Sequence, residues 1–582
     1  MKNRLRPTNL FSDRRFALLL VVGCGILAMV PAFIWGIPAG ADLDNHFRFM
    51  MPFYDEISHG NLAPGWLAES NFGFGDARFR FYPPVLYYSL SLFRMLTGGW
   101  YIATLAVFTL FCVIGAVGVY YWSRQNLSSP TSVCAALLFS FAPYHLTQFY
   151  QASLLAEFAA TAFLPFAFLF VERITSNKSK GLYDTLFNIA GVAVSFSLIV
   201  TTHLPVTVIG SLALGLFALL STDWKLNKKA LIFAALGIAL GLVLSSWFWV
   251  KMLSELDWIQ AGEKVQSAYY DYRNNFIFSP FSPPNLNTYF AGYVAALTIG
   301  LFLPAVIVLR RLFTSKTDEN SLDKYFAPNA ENPRRRLRNA VLIALFSVFM
   351  TTDLSRPLWA VIPKLKDIQF PYRWLAVTSV VICPAIALSI QVWLDRIRQK
   401  NFRAIHIPVY LIFAAALFFS VKDLVIDGTF RSSEDFTRHI QEIRGAQSFN
   451  DWLPKGASEL KNIQPLTGQI DPGNRQLVVA SFQTHTRRFM LTEGDVVQVR
   501  LRSYYYPLWR ATVLGTQQPT ATAQAPDGTL LVAAPPEACE IEVTFTEPPR
   551  TKISYTIAAL AWTFTLVLLI FGFFRRKPLN VL

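Results

Sequence analysis

Residues 17–39 read ALLLVVGCGILAMVPAFIWGIPA and are followed at 40–48 by GADLDNHFR. An uncharged apolar run of this length crosses a hydrocarbon layer of ~30 Å at ~1.5 Å rise per residue. It ends on Asp42 and Asp44 with no small-residue cleavage site, so it reads as a retained membrane helix and not as a cleavable signal. Working outward, the same window finds apolar stretches near 101–122, 131–149, 155–171, 185–202, 204–221, 230–250, 289–309, 339–352, 374–393, 404–421 and 553–574. The expectation is a polytopic α-helical membrane protein of about twelve spans, with both termini on one side. Composition agrees: of 582 residues 53% are hydrophobic and only 15% charged, with a mean hydropathy of +0.36, which excludes a soluble globular chain.

Lys and Arg set the orientation, because short cytoplasmic loops collect them. With the N-terminus inside, the cytoplasmic segments hold Lys2, Arg4, Arg6, Arg14 and Arg15, then Arg124, then Arg173, Lys178 and Lys180, then Lys225, Lys228 and Lys229. Arg310, Arg311, Arg334 to Arg336, Arg396, Arg398, Lys400, Arg403 and Arg575 to Lys577 continue the series. The net charge of +15 and pI near 9.5 are then accounted for by topology and anionic lipid headgroups, with no nucleic-acid partner. The 339–352 stretch is short, but the basic loops at 396–403 and 575–577 agree with its presence. Five cysteines lie scattered, four of them in apolar spans, so neither a disulfide framework nor a metal-ligand spacing exists.

The outward segments 40–100, 251–288, 353–373 and 422–551 are long, polar and aromatic, and function is sought there. In 422–551 the apolar runs give way to alternation at 476–481, 496–501, 529–533 and 539–545, parted by turn signals such as Asp527-Gly528. These predict a small extracytoplasmic β-sandwich, preceded by a juxtamembrane helix over Ser433 to Gln447. The expected division is a transmembrane part at 1–421, the mostly β part at 422–551, and a last span with a cytoplasmic tail at 552–582.

The loop after the first span is the most informative. Two acids, a histidine and an arginine fall between Asp42 and Arg48. A helix over 42–57 puts Asp42 and His46 on one face, makes Asp42 its N-cap, and lets Met50, Phe53 and Tyr54 lie along the interface. An acid at that depth can take a proton from an incoming hydroxyl. The plainer alternative is a set of interfacial charges and a helix cap. Glu157 lies near the outer end of an apolar helix, where an unpaired carboxylate is costly, so a paired or functional role is expected. The tyrosines and tryptophan at 258–272 suit a sugar-stacking loop or an interfacial belt.

Asp42-Leu-x-x-His46, Gly60 to Trp66, Gly73-x-Gly75, Phe79-x-Phe81-Tyr82-Pro83-Pro84, Glu157 ahead of Pro165, Thr202-His203-Leu-Pro205 and Gln369 to Trp374 follow in order. With Tyr504 to Arg510 they resemble bacterial membrane proteins filed as 6-pyruvoyl-tetrahydropterin synthase-related, close to YfhO-type chains. The pterin name marks a domain association and implies no pterin chemistry. The resemblance implies the GT-C superfamily of glycosyltransferases, which take a sugar from a polyprenyl phosphate on the outer face, here of the bacterial inner membrane. It makes Asp42 the base, with Asp44, His46 and Glu157 beside it. Arg373, His203 and Lys251, at outward ends of spans, would meet the donor phosphate, and Arg78 and Tyr82 the substrates. Arg373 and His203 have plainer readings as a snorkelling anchor and a turn cap. The acceptor would be glycan, lipid or protein. No metal is required by spacing, although Asp42, Asp44, His46 and Glu157 offer the ligands for a divalent ion. A lipid or oligosaccharide flippase, or a non-catalytic partner of envelope polysaccharide assembly, is the competing class; a flippase needs polar residues at mid-depth, whereas these spans are polar at their outer ends.

Overall fold

The computed structural model describes residues 13–176, 181–225, 227–260, 268–281, 285–313, 322–399, 404–444, 446, 452–458, 462–463, 466 and 468–575. Asp13 opens the first span, Arg14–Trp35, by accepting from Arg15 N at 2.8 Å. The span stops at Gly36, whose φ of +114° and position against Arg431 O, 2.0 Å from where a Cβ would sit, admit only glycine. That close approach lets Ile37–Pro38 pair antiparallel with Phe430–Arg431, tying the exit of the first span to that of Ile407–Ile426.

Among the described residues eight helices are long and apolar enough to cross a membrane. Lys229–Leu244 with Ser246–Trp258, bent by 71°, and Pro371–Val381 with Cys383–Arg398, bent by 47°, raise this to ten if each pair is one span. The 131–149 stretch forms two shorter helices, Ser129–Ser140 and Pro143–Tyr150, because Pro143 restarts the chain. Pro333–Phe349 opens with three arginines, two of which close neighbouring spans. Arg335 donates to Leu220 O (2.9 Å) and Thr222 O (3.0 Å), and Arg336 to Thr175 O (3.0 Å). Cations on free C-terminal carbonyls match the helix dipole. Ser128 N reaches Tyr325 O at 2.7 Å and Asn227 reaches Ile174 O at 3.3 Å, so the turns carrying Arg124, Arg173, Lys225 and Arg334 to Arg336 gather at one end. Lys2, Arg4, Arg6, Lys178, Lys180, Lys400, Arg403, Arg576 and Lys577 lie outside the described residues, as do the side chains of Arg310, Arg311 and Arg575.

The opposite end carries the β part, two facing antiparallel sheets. One has the strand order Ile470–Asp471, Val497–Tyr504, Thr529–Ala534, Thr522–Gln524; the other Leu477–Phe482, Thr486–Leu491, Cys539–Phe545, Trp509–Val513, Gln518–Thr520. Alternate residues Val499, Leu501, Leu530, Val532, Ile541 and Val543 are buried between them, as the alternation predicts, together with Phe489 of a strand outside the predicted stretches. The juxtamembrane helix spans Ser433–Glu442; Phe436 and Ile440 share its buried face, and Phe436 meets Phe47 edge-on at 5.1 Å. Gln447, where the helix was expected to end, is outside the described residues.

Candidate functional site

Asp42 is held by three segments. Gly40 abuts Ser153, with 2.6 Å from its Cβ position to Ser153 N, and Asp42 N donates to Ala152 O at 3.1 Å. Gln151, next in that strip, donates to Asp423 O (3.3 Å) and Leu424 O (3.0 Å), carbonyls of a π-turn at Lys422–Ile426. Asp42 precedes helix Leu43–Ser58 as predicted, but its side chain makes no capping bond and accepts instead from Asn45 Nδ2 at 3.1 Å. It is half-buried and has no ion-pair partner among the described residues. The interfacial placing of Met50 and Phe53 is corrected: both are buried inside the protein, Phe53 against Phe79 (4.4 Å) and Tyr88 (5.0 Å). The loop's own aromatics cover that face, leaving none for lipid.

His46, one turn along from Asp42, places Nδ1 2.8 Å from Tyr87 Oη. Burial pushes its imidazole down to about 4, against the opposing pull of the Asp42 charge, so it is neutral near pH 7. Tyr82 hydrogen-bonds Tyr87, and burial foremost, then the Asp42 charge, raises its phenol above the ordinary value, so it stays a hydroxyl.

Glu157 is 1% exposed: its Oε1 accepts from Tyr144 Oη at 2.6 Å and Gln148 Nε2 at 3.1 Å, and its Oε2 lies 3.2 Å from Arg373 Nε without a hydrogen bond. The expected pairing of Glu157 is thus with Arg373, which also donates to Ile368 O at 3.0 Å and rests over Phe370. His203 caps Leu204–Ser221, its Nδ1 accepting from Val206 N at 3.4 Å, which leaves Nε2 as the protonated nitrogen. Asp42 acts electrostatically on Tyr82, Tyr372 and Glu157, and Arg373 on Tyr82, Tyr144 and His203. Asp42, His46, Tyr82, Glu157, His203 and Arg373 therefore share one neighbourhood. Tyr87, Tyr144, Gln148 and Tyr372 complete it and were not singled out for a role in the sequence. Tyr144 and Gln148 lie four apart on the short helix that Pro143 starts, the one available signal.

Arg78 borders the group, paired with Asp76 at 3.1 Å and stacked on Phe49 at 3.8 Å, and acts on Tyr82. Asp44 does not join: two residues on from Asp42 it faces away and pairs with His439 Nε2 at 2.7 Å. Lys251 does not join either. The 71° bend turns it to the last helix, where Nζ donates to Tyr555 Oη at 3.0 Å. It stands beside a buried charge cluster in which Arg80 donates to Glu255 (2.5 and 2.7 Å) and Glu547 (2.5 and 2.9 Å) while Tyr506 donates to Glu255 at 2.7 Å. This cluster joins the first loop, a span, the β-sandwich and the last helix. No three His, Cys, Asp or Glu side chains among the described residues gather to hold a metal. With Asp44 on His439 and Glu157 on Arg373, the four offered ligands do not fit a divalent ion.

In overall shape the chain is similar to a mutant of the arabinofuranosyltransferase AftD from Mycobacteria, at 16% identity and TM-score 0.43, covering 71% of this chain and 28% of that one. It is also similar to ArnT from Cupriavidus metallidurans bound to undecaprenyl phosphate, at 14% identity and TM-score 0.41, covering 70% of each. A third is the Archaeoglobus fulgidus oligosaccharyltransferase in the apo form, at 13% identity and TM-score 0.38, covering 75% of this chain and 56% of that one. No curated protein matches. Residues 79–430, more than half of the chain, match the family described as 6-pyruvoyl-tetrahydropterin synthase related domain, membrane protein, and the protein belongs to that family.

Proposed function

We propose that the chain is a GT-C-type glycosyltransferase that moves a sugar from a polyprenyl-phosphate donor to an acceptor on the outer face of the bacterial inner membrane, with the basic turns cytoplasmic. The observation that carries it is the pairing of opposites in one neighbourhood: Asp42 is half-buried without a cation, and Arg373, partly exposed, stands close by with the Nε2–H of His203. A carboxylate free of a counter-ion is a base, and a guanidinium with an N–H donor is a seat for phosphate. Asp42 takes the proton of the acceptor hydroxyl as its oxygen bonds the anomeric carbon. The bond from that carbon to the phosphate oxygen breaks, and the polyprenyl phosphate leaves with its charge against Arg373 and His203. Glu157, engaged by Tyr144 and Gln148, orients Arg373 and is not a second base. Tyr82 and Tyr372, both largely buried, border the acceptor side. Asp44 and Lys251 take structural roles through His439 and Tyr555.

Purified Asp42→Asn protein, given lipid-linked sugar, retains donor binding and loses transfer by about a hundredfold or more. Arg373→Gln weakens donor binding. Full transfer by Asp42→Asn overturns the assignment, and movement of intact lipid-linked sugar across proteoliposomes supports the flippase instead.

A further inference from the structure

The turn Ser70 to Asp76 is tightly built. Ser70 O accepts from Gly73 N (3.1 Å) and Gly75 N (3.0 Å), Asn71 Nδ2 donates to Gly75 O (2.9 Å), and Leu67 and Asp76 exchange backbone bonds of 2.8 and 3.1 Å. Phe74 O accepts from Tyr504 N at 2.6 Å, fastening the turn to the β-sandwich. At its tip Phe72 has φ +54° and ψ 37°, the left-handed region that a bulky side chain enters at a cost and glycine or asparagine enters readily. The residue is 55% exposed, whereas Phe74 is buried. The strain therefore returns no packing in the free protein, and strain held at an exposed position points to a ligand.

A second observation lies beside it. Arg502 Nε is 3.5 Å from where a Cβ on Gly73 would sit, next to Phe72, and its guanidinium rests on the Phe74 ring with Cζ 5.6 Å from the centroid. It forms no ion pair among the described residues. An exposed phenylalanine next in sequence to the glycine that an unpaired guanidinium abuts suits a sugar ring that carries a carboxylate: the apolar C–H face stacks on the phenyl ring, and the carboxylate takes two parallel N–H donors. We propose that Phe72 and Arg502 form a docking site for an acidic glycan, a uronic-acid chain. A lipid surface fits less well, because the turn is fastened to Tyr504 of the sandwich and not to a span. That the glycan is the acceptor rests on the transfer reading; its binding does not.

The test uses full-length Asp42→Asn protein in detergent, without lipid-linked sugar so that no transfer occurs, titrated by calorimetry with oligogalacturonate and with a neutral maltooligosaccharide. The acidic oligomer binds, the neutral one about tenfold more weakly. Phe72→Gly weakens acidic binding about tenfold and raises the unfolding midpoint, the opposite of what a packing phenylalanine would do. Arg502→Gln abolishes the preference for the acidic oligomer. No binding of either oligomer, equal binding of both, or a Phe72→Gly protein with unchanged affinity or a lowered midpoint overturns the proposal. A photo-crosslinker at position 72 marks the acidic oligomer in nanodiscs; if it marks lipid, the membrane is the occupant and the site is refuted.

Discussion

Replacing Arg80 by methionine removes a guanidinium that is 0% exposed and leaves two carboxylates facing each other, Glu255 at 0% and Glu547 at 23% side-chain exposure. Breaking a buried pair by removing one partner costs about 3–5 kcal/mol, and Arg550, 3.9 Å from Glu255, with Lys251 beside the cluster keeps the cost here toward the lower end. Glu255→Gln keeps an acceptor for Tyr506 and leaves Glu547 in place, so about 3 kcal/mol is expected; Glu547→Gln, partly hydrated, costs about 1.5 kcal/mol. The double variant Arg80→Met with Glu255→Gln is less damaging than the two losses added, because the second removes an anion the first had stranded. Gly65 is part of the same reasoning, since a Cβ there would lie 2.5 Å from Arg80 Nη1 and 2.8 Å from Glu547 Oε1. The assay is the unfolding midpoint of the full chain in detergent, read by a thiol-reactive fluorophore as buried Cys112 and Cys383 become accessible. Arg80→Met unfolding like wild type, or Glu547→Gln costing more than Glu255→Gln, would refute the view that this cluster locks the sandwich to the spans.

Acidification offers a separate test. His46 is neutral in the fold with its pKa lowered to about 4 from 6.5, so the folded state holds fewer protons than the unfolded chain between those values. Its stability contribution is complete above pH 6.5 and is lost as pH falls through 4, about 3 kcal/mol in all; His46→Gln flattens that limb of a pH–stability curve, and an unchanged limb refutes it. Phe436→Ala, at a 0% exposed site, costs about 3–5 kcal/mol of docking for Ser433–Glu442 and releases the His439 contact to Asp44, seen as faster proteolysis within that helix and no change elsewhere.

Much of the architecture is written locally. The apolar run from residue 17 to 35 can only be a span, because a run of that length has no other solvent, and the alternation at 539–545 can only be a half-buried strand, because side chains on a pleat face opposite ways. Asp42 stood out for the same reason, as an acid at the end of the first span. What these residues meet is not local. Asp42 and Asp44 look alike in sequence, yet one is left without a cation and the other is taken by His439, nearly four hundred positions away. Glu157 and Arg373 lie far apart in sequence, and only the packing of their segments brings the guanidinium onto the carboxylate. Lys251 and Arg373 both sit at outward ends of spans, and a 71° bend sends the first to the last helix instead of to the site. Periodicity reports which face of an element is buried. Which charge finds which partner is decided by the packing of whole elements, where desolvation makes an unpaired buried ion costly.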